Sequence, residues 1–351
     1  LMGVKYDSET SDRYTYAYGT NGQASEVKDA HLGRTMRTEY DLSDRPCQVE
    51  HRDTSTNELL YQTRLKYDKL SNLAQFTEKI GEEAHTSEYT YDRDNRVTEI
   101  DYDGTTQNVK YAYDALGRVA TRTVENETTA GKLTSTYGYV AGGYGTNSTT
   151  PLVSSITQST GAGAAMNFAY TYDNRGNIVS ETRNGVVTTY AYNALGQLIR
   201  VNDPHEIATW IYNYDRGGNI TSKVKYAYTT GTLGTAAETT PYVYADSNWK
   251  DKLTSYNGQT ITYDAIGNPL NDGTWSYTWG AGRQLRQMSK AGTAVQFKYD
   301  HNGLRTQKIV TENGVTSTTN YTLHGKLITH MTKGTDSLHF FYDAQSRPAK
   351  V

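Results

Sequence analysis

Along most of this chain, aromatic residues alternate with polar ones over short stretches and are then interrupted by a turn signal. Tyr111 and Tyr113, Tyr170 and Tyr172, Tyr190 and Tyr192, Tyr212 and Tyr214, and Tyr277 and Trp279 each stand two positions apart. A period of two places both rings of a pair on one face of a β-strand. After the interruption comes an apolar residue and then a Thr- or Ser-rich stretch, as in Val119-Ala120-Thr121-Arg122-Thr123 and Ile178-Val179-Ser180-Glu181-Thr182. Such residues form strands on half-solvated surfaces. The pattern predicts strand, tight turn, strand, over and over, and it predicts no helix.

The interruption has a grammar of its own: Tyr, Asp, two variable residues, Gly, then Arg or Asn. It reads Tyr113-Asp114-Ala115-Leu116-Gly117-Arg118, Tyr172-Asp173-Asn174-Arg175-Gly176-Asn177, Tyr214-Asp215-Arg216-Gly217-Gly218-Asn219 and Tyr263-Asp264-Ala265-Ile266-Gly267-Asn268. Tyr299, Asp300 and Gly303 repeat it, Tyr192, Asn193 and Gly196 keep it with a neutral amide, and Tyr342-Asp343 carries it at the end of the chain. Asp at the first position of a turn accepts backbone N–H bonds two or three residues on, and Gly supplies the positive φ that closes a hairpin. Arg34, Arg96 and Arg118 follow turns and are expected to brace neighbouring Asp carboxylates.

The Tyr anchors fall at 18, 40, 67, 91, 113, 172, 192, 214, 263, 279 (a Trp), 299, 321 and 342, mostly 16 to 27 residues apart. A fixed step of this size is the signature of a repeat architecture. The two longer steps hold Gly/Ser/Thr-rich stretches and are read as degenerate repeats with long loops near 141–150 and 229–240. Residues 1–351 are therefore expected to form one repeat array. Both ends fall inside repeats, so the array is expected to be a truncated piece of a longer protein.

Composition narrows the function classes. The 351 residues carry 35 basic and 38 acidic side chains for a net charge of -3, with no basic stripe of the kind nucleic-acid binding uses. No apolar run approaches the ~20 residues of a membrane span. Tyr outnumbers Phe by 31 to 5, which suits half-wet sheet faces better than a dry core, because a phenol keeps a polar tip. Cys47 is the single cysteine, so no intrachain disulfide staples the fold. The stretch 1–7 has no signal-peptide pattern.

With its Tyr-Asp phrases at a regular step over nearly its whole length, the chain resembles the Rhs, or YD-repeat, family. That family includes bacterial polymorphic toxins, wall-associated proteins, shell components of insecticidal toxin complexes and the teneurins. The resemblance implies an all-β fold in which tandem hairpins form a curved spiral sheet, here an open section of a hollow shell. It implies a structural role in a secreted or cell-surface bacterial protein, enclosing and helping to deliver a C-terminal toxin domain that these residues do not contain. The partner it implies is the remainder of the same polypeptide, both shell core segment and cargo. The family's core segment near the shell's end carries an Asp-Pro-x-Gly element linked to self-cleavage. Here Asp203-Pro204 is followed by His205 and Glu206, so that role is not transferred.

Other chemistry competes with this reading. The recurring Asp41, Asp68, Asp92, Asp114, Asp173, Asp215, Asp264, Asp300 and Asp343 lack the clustering that calcium loops need and are read as turn caps. His324, His330 and His339 match no zinc spacing, and His205-Glu206 stands alone. Cys47 has Arg45 nearby and no convincing His partner. No enzyme activity, cofactor or metal is expected. The alternative class is an adhesin that stacks surface glycans or cell-wall sugars on exposed aromatic rings, for which Trp210, Trp249, Trp275 and Trp279 are the candidates. Against it, the tyrosines recur at one place in every repeat, which stacking between neighbouring hairpins explains directly.

Overall fold

The computed structural model describes residues 2–6, 9–104, 107–125, 131–143, 148–160, 166–280 and 283–351. Among these the chain forms 33 β-strands and no α-helix. Strands adjacent in sequence pair antiparallel, as Leu59–Tyr67 does with Leu73–Ile80, and that strand in turn with Glu83–Tyr91. The elements form as the alternation predicts. What the alternation does not reveal is a register shift beside the repeat Tyr. Tyr40 faces Pro46, Tyr67 faces Leu73, Tyr172 faces Ile178, Tyr192 faces Leu198 and Tyr214 faces Ile220, in each case directly after a shift. An extra residue at such a bulge bends and twists the strand and takes its backbone out of the regular ladder.

The Thr- and Ser-rich strands are joined across the ladder by hydroxyl pairs, including Thr77 with Thr86 at 3.1 Å, Thr123 with Thr134 at 3.2 Å and Thr311 with Thr316 at 2.9 Å. Among the described residues, 11 hydrophobic side chains are buried against 20 polar or charged ones. Hydrogen bonding rather than a dry core therefore carries much of the specificity.

The chain divides into two compact units. One comprises Leu1–Tyr111, Val124–Thr128 and Thr278–Val351; the other comprises Ala112–Thr123 and Thr129–Tyr277. In the first, the N-terminal strands meet the C-terminal strands face to face. Nine of the buried hydrophobic residues lie there, among them Tyr14, Phe76, Ile100, Tyr102, Tyr111 and Phe341. Tyr102 donates its hydroxyl to the Tyr342 carbonyl at 3.0 Å, and the Tyr111 hydroxyl accepts the Ala344 N–H at 3.1 Å. In the second unit the longest pairing joins Leu133–Ala141 to Thr149–Thr160. The loop expected near 141–150 lies partly outside the described residues. Residues 228–237 are free of strand, and Arg200 donates to the carbonyls of Thr229 and Gly231, both at 2.9 Å.

Candidate functional site

The repeated chemistry of the chain is concentrated in its turns. In the Asp114 turn, Oδ1 accepts the backbone N–H groups of Leu116 at 2.9 Å and Arg118 at 3.0 Å, while Oδ2 accepts Arg118 Nε at 2.7 Å. The Asp114 carbonyl accepts the Gly117 N–H at 3.0 Å, and Gly117 has φ 79°. The same clasp recurs at Asp173, where Asn177 supplies the side-chain donor at 2.9 Å, and at Asp215, Asp264 and Asp343. At Asp300 the carboxylate takes the N–H groups of Asn302 and Leu304, and at Asn193 the amide oxygen takes those of Leu195 and Gln197. Gly176, Gly196, Gly218, Gly267 and Gly303 hold the positive φ. Asp44, Ser71, Asn95 and Ser346 hold it elsewhere without a glycine.

Each carboxylate is thus engaged by its own turn, through N–H groups two and four residues on rather than two or three. The Arg118 guanidinium beside Asp114 and the Asn177 amide beside Asp173 hold those carboxyls below the usual range. Arg96 and Arg118 brace Asp92 and Asp114 as expected, at 2.7 and 2.6 Å. Arg34 does not. It faces a cavity in the first unit instead.

The link between successive hairpins also differs from expectation. For eight of the repeat tyrosines the link is made by the hydroxyl. The phenols of these eight donate to backbone carbonyls earlier in the chain: Tyr40 to Ala24, Tyr67 to Pro46, Tyr172 to Val153, Tyr192 to Ile178, Tyr214 to Leu198, Tyr263 to Leu253, Tyr299 to Leu285 and Tyr342 to Ile328, at 2.6 to 3.0 Å. In Tyr40, Tyr67, Tyr192 and Tyr214 the acceptor stands six residues after the preceding repeat Tyr, beside the register shift. Phe could supply the ring but not the donor, which accounts for the excess of Tyr.

The cavity in the first unit has a volume of about 470 Å³, and Asp29, Arg34, His51, Tyr61, His301 and Lys326 are among its lining residues. His51 stacks on Tyr61 with centroids 4.1 Å apart, and burial pushes its imidazole down to about 3. Asp29 is 5% exposed, and its Oδ1 accepts the N–H groups of His31 and Leu32. Burial pushes this carboxyl up. Charges of both signs line the space, and no nucleophile–base hydrogen bond is set in it.

The remaining candidates are scattered. His324 packs on Phe76 at 4.5 Å, and His330 and His339 lie near each other with centroids 5.8 Å apart. Among the described residues no group of three or more His, Cys, Asp or Glu side chains could hold a metal ion. Glu206 accepts Trp210 Nε1 at 2.9 Å, and the Cys47 thiol donates to the Glu39 carbonyl at 3.5 Å. Arg45 lies over the Tyr67 ring at 4.3 Å. Of the tryptophans, Trp210 has its ring covered by the Lys223 ammonium at 3.8 Å. Trp249 is 47% exposed and lies against Gly267, where an added Cβ would come within 2.5 Å of the indole. Trp275 and Trp279 are half-buried on or beside the strand Ser276–Gly280. Trp210, Trp249 and Trp275 belong to the second unit and Trp279 to the first.

Comparison with known proteins agrees with the turn geometry. Residues 154–316 match the Teneurin YD-shell family model, and residues 91–130 match the RHS Repeat model. Over these two stretches the chain is built of Rhs/YD-type repeats. A tRNA3(Ser)-specific nuclease WapA of Bacillus spizizenii is 34% identical to this YD-repeat chain over 159 residues, which is 44% of the chain and 6% of that protein. A tRNA nuclease WapA of Bacillus subtilis is 33% identical over 159 residues, again 44% and 6%. The YD-repeat chain therefore spans a small part of the curated relatives it matches. In structure, a chain of the Photorhabdus luminescens Tc holotoxin pore superposes with a TM-score of 0.66 at 17% identity, covering 95% of this chain and 19% of that one. A TcdB2-TccC3-TEV crystal structure gives a TM-score of 0.50 at 14% identity over 95% of this chain and 21% of that one. At these identities the likeness is one of fold. No helix among the described residues is long and apolar enough to cross a membrane.

Proposed function

We propose that this chain is a structural wall segment of a secreted or cell-surface bacterial YD-repeat protein whose repeats enclose a C-terminal toxin domain. The observation that carries the reading is the use of the carboxylates. In a chain rich in Asp, the repeat acids are engaged by their own turns, which leaves them as structural caps rather than acid/base groups. The fold likeness to toxin-complex chains over 95% of the length supports the same reading. So does the similarity to proteins named as tRNA nucleases, of which this chain resembles only a short stretch. In this reading the catalytic activity of the parent protein belongs to the cargo, and these repeats are inert. Limited proteolysis of the parent polypeptide tests it. The toxin region should resist cleavage while the repeats are intact and become sensitive once they are unfolded. Equal sensitivity in both conditions would contradict enclosure.

A further inference from the structure

Seven of the eight histidines lie in the first unit. Where its N-terminal and C-terminal strands meet, a polar cluster sits that no turn or ladder explains. Glu78 is 0% exposed; its Oε1 accepts Thr329 Oγ1 at 2.9 Å, and its Oε2 has no hydrogen bond. That oxygen lies 3.8 Å from His339 Nδ1, which also lacks a hydrogen bond, as does Nδ1 of His330, the cross-strand neighbour of His339. His85 stacks on His339 with centroids 3.8 Å apart, and its Nδ1 is 3.3 Å from Asp103 Oδ2. Glu83 and Lys350 are the other charges nearby, 3.8 Å from His85 Nε2 and Asp103 Oδ2 respectively. Phe341, 5% exposed, closes the cluster with its ring edge-on to His339 at 4.7 Å. Three buried polar atoms without hydrogen bonds are costly in a structure that otherwise satisfies its turns, and such groups call for an explanation.

We propose that this cluster is a proton-operated clasp, in which acid drives the histidine-bearing strands Leu327–Lys333 and Asp336–His339 away from Leu73–Ile80 and Glu83–Tyr91 while Glu78 delays that separation. Burial holds His330 down and His339 down to about 3. Opened to water, each takes a proton at about 6.5, so the closed state loses stability as pH falls below that value. Burial holds Glu78 up to about 7, against a value of 4.5 in water, and this has the opposite sign. The closed form keeps a proton that the opened form gives up, so Glu78 favours closure as pH falls from 7 towards 4.5. Between pH 7.5 and 5.5, His339 alone raises the opening constant about tenfold, and Glu78 lowers it about 20-fold. His330, and His324 behind it on Phe76, are also held down by burial and add to the opening side. The clasp belongs to this unit whatever the repeats enclose, so failure of the enclosure test leaves it standing.

The test is thiol accessibility in the full chain. Ser87, 6% exposed beside the cluster, is replaced by Cys in a Cys47→Ser background and titrated with a disulfide reagent that works in acid, normalised to a free thiol. From pH 7.5 to 5.5, Glu78→Gln should steepen the rise in opening about 20-fold over the parent, and His339→Gln should flatten it about tenfold. Identical pH dependence in all three proteins would overturn the clasp. Histidine ring NMR of the unsubstituted chain checks it without any variant. In the closed form the His339 signal should stay neutral at pH 5.5 and the His330 signal should titrate below its usual value, and ordinary titration of both near 6.5 would overturn it.

Discussion

Replacing Tyr192 with Phe removes one oxygen and leaves the ring. In the structure that oxygen donates to the Ile178 carbonyl at 2.9 Å, beside the register shift at Tyr172–Ile178. A hydrogen bond of this kind contributes about 0.5–1.5 kcal/mol net. The second unit holds roughly 160 residues, for which 1 kcal/mol moves the midpoint by about 2–4 °C. Tyr192→Phe should therefore lower the melting temperature by about that much. The triple replacement of Tyr172, Tyr192 and Tyr214, which donate to Val153, Ile178 and Leu198, should cost about 3 kcal/mol, with some non-additivity because the sites share strands. Tyr226→Phe, in the same unit but without a hydrogen bond from its hydroxyl, serves as the control and should change little. The assay is calorimetry or circular dichroism melting of the four variants side by side. Ring stacking alone would leave every Phe variant at the parent's stability, and that result would refute the phenol-to-carbonyl link.

Other outcomes follow from the same geometry. Gly176→Ala places a Cβ in open space at φ +84°, so its cost is the backbone's alone, about 1 kcal/mol; Gly267→Ala also drives a Cβ to 2.5 Å from the Trp249 ring and should melt clearly lower. Equal melting of the two would show that Trp249 does not rest on Gly267. The carboxyls of Asp41, Asp92, Asp114 and Asp173 are held below their usual range by Arg or Asn donors. Their stabilisation is present above about pH 4 and is lost as pH falls through the lowered folded values. Melting temperature should drop between pH 4 and 2.5, and a flat profile there would contradict the turn clasp. A glycan array probed with the chain should be blank. Saturable binding abolished by Trp275→Ala or Trp279→Ala would instead favour an adhesin.

The strands, the turns and the all-β class were legible because they rest on local rules. Alternation at Tyr170 and Tyr172 fixes a face, and Asp173 to Gly176 fixes a turn, without reference to anything distant. The role of the tyrosines was half legible. Their recurrence was visible, but a ring and its hydroxyl stand at the same position, and the sequence does not say which of the two makes the contact. The acceptor carbonyl belongs to an earlier hairpin and depends on the register shift. Arg34 was misread because it follows a turn as Arg96 and Arg118 do. It follows Gly33 in a hairpin of different make, where Asp29 stands five residues before it rather than four and its carboxylate takes the N–H groups of His31 and Leu32. The Glu78 cluster was invisible for a plainer reason. Glu78 and Thr329 are 251 residues apart, and nothing periodic links them. His330 and His339 carried a faint signal, as histidines gathered in the last strands, that only the facing strand turns into a site.

The account's central claim, that these repeats are a passive wall around an active cargo, is tested most directly by the activity of the parent polypeptide before and after its shell is opened. Toxin turnover should be undetectable with the repeats intact and should appear when they are opened, with the repeat chain alone inert throughout. Full turnover from the intact polypeptide, or turnover by these 351 residues by themselves, would contradict it.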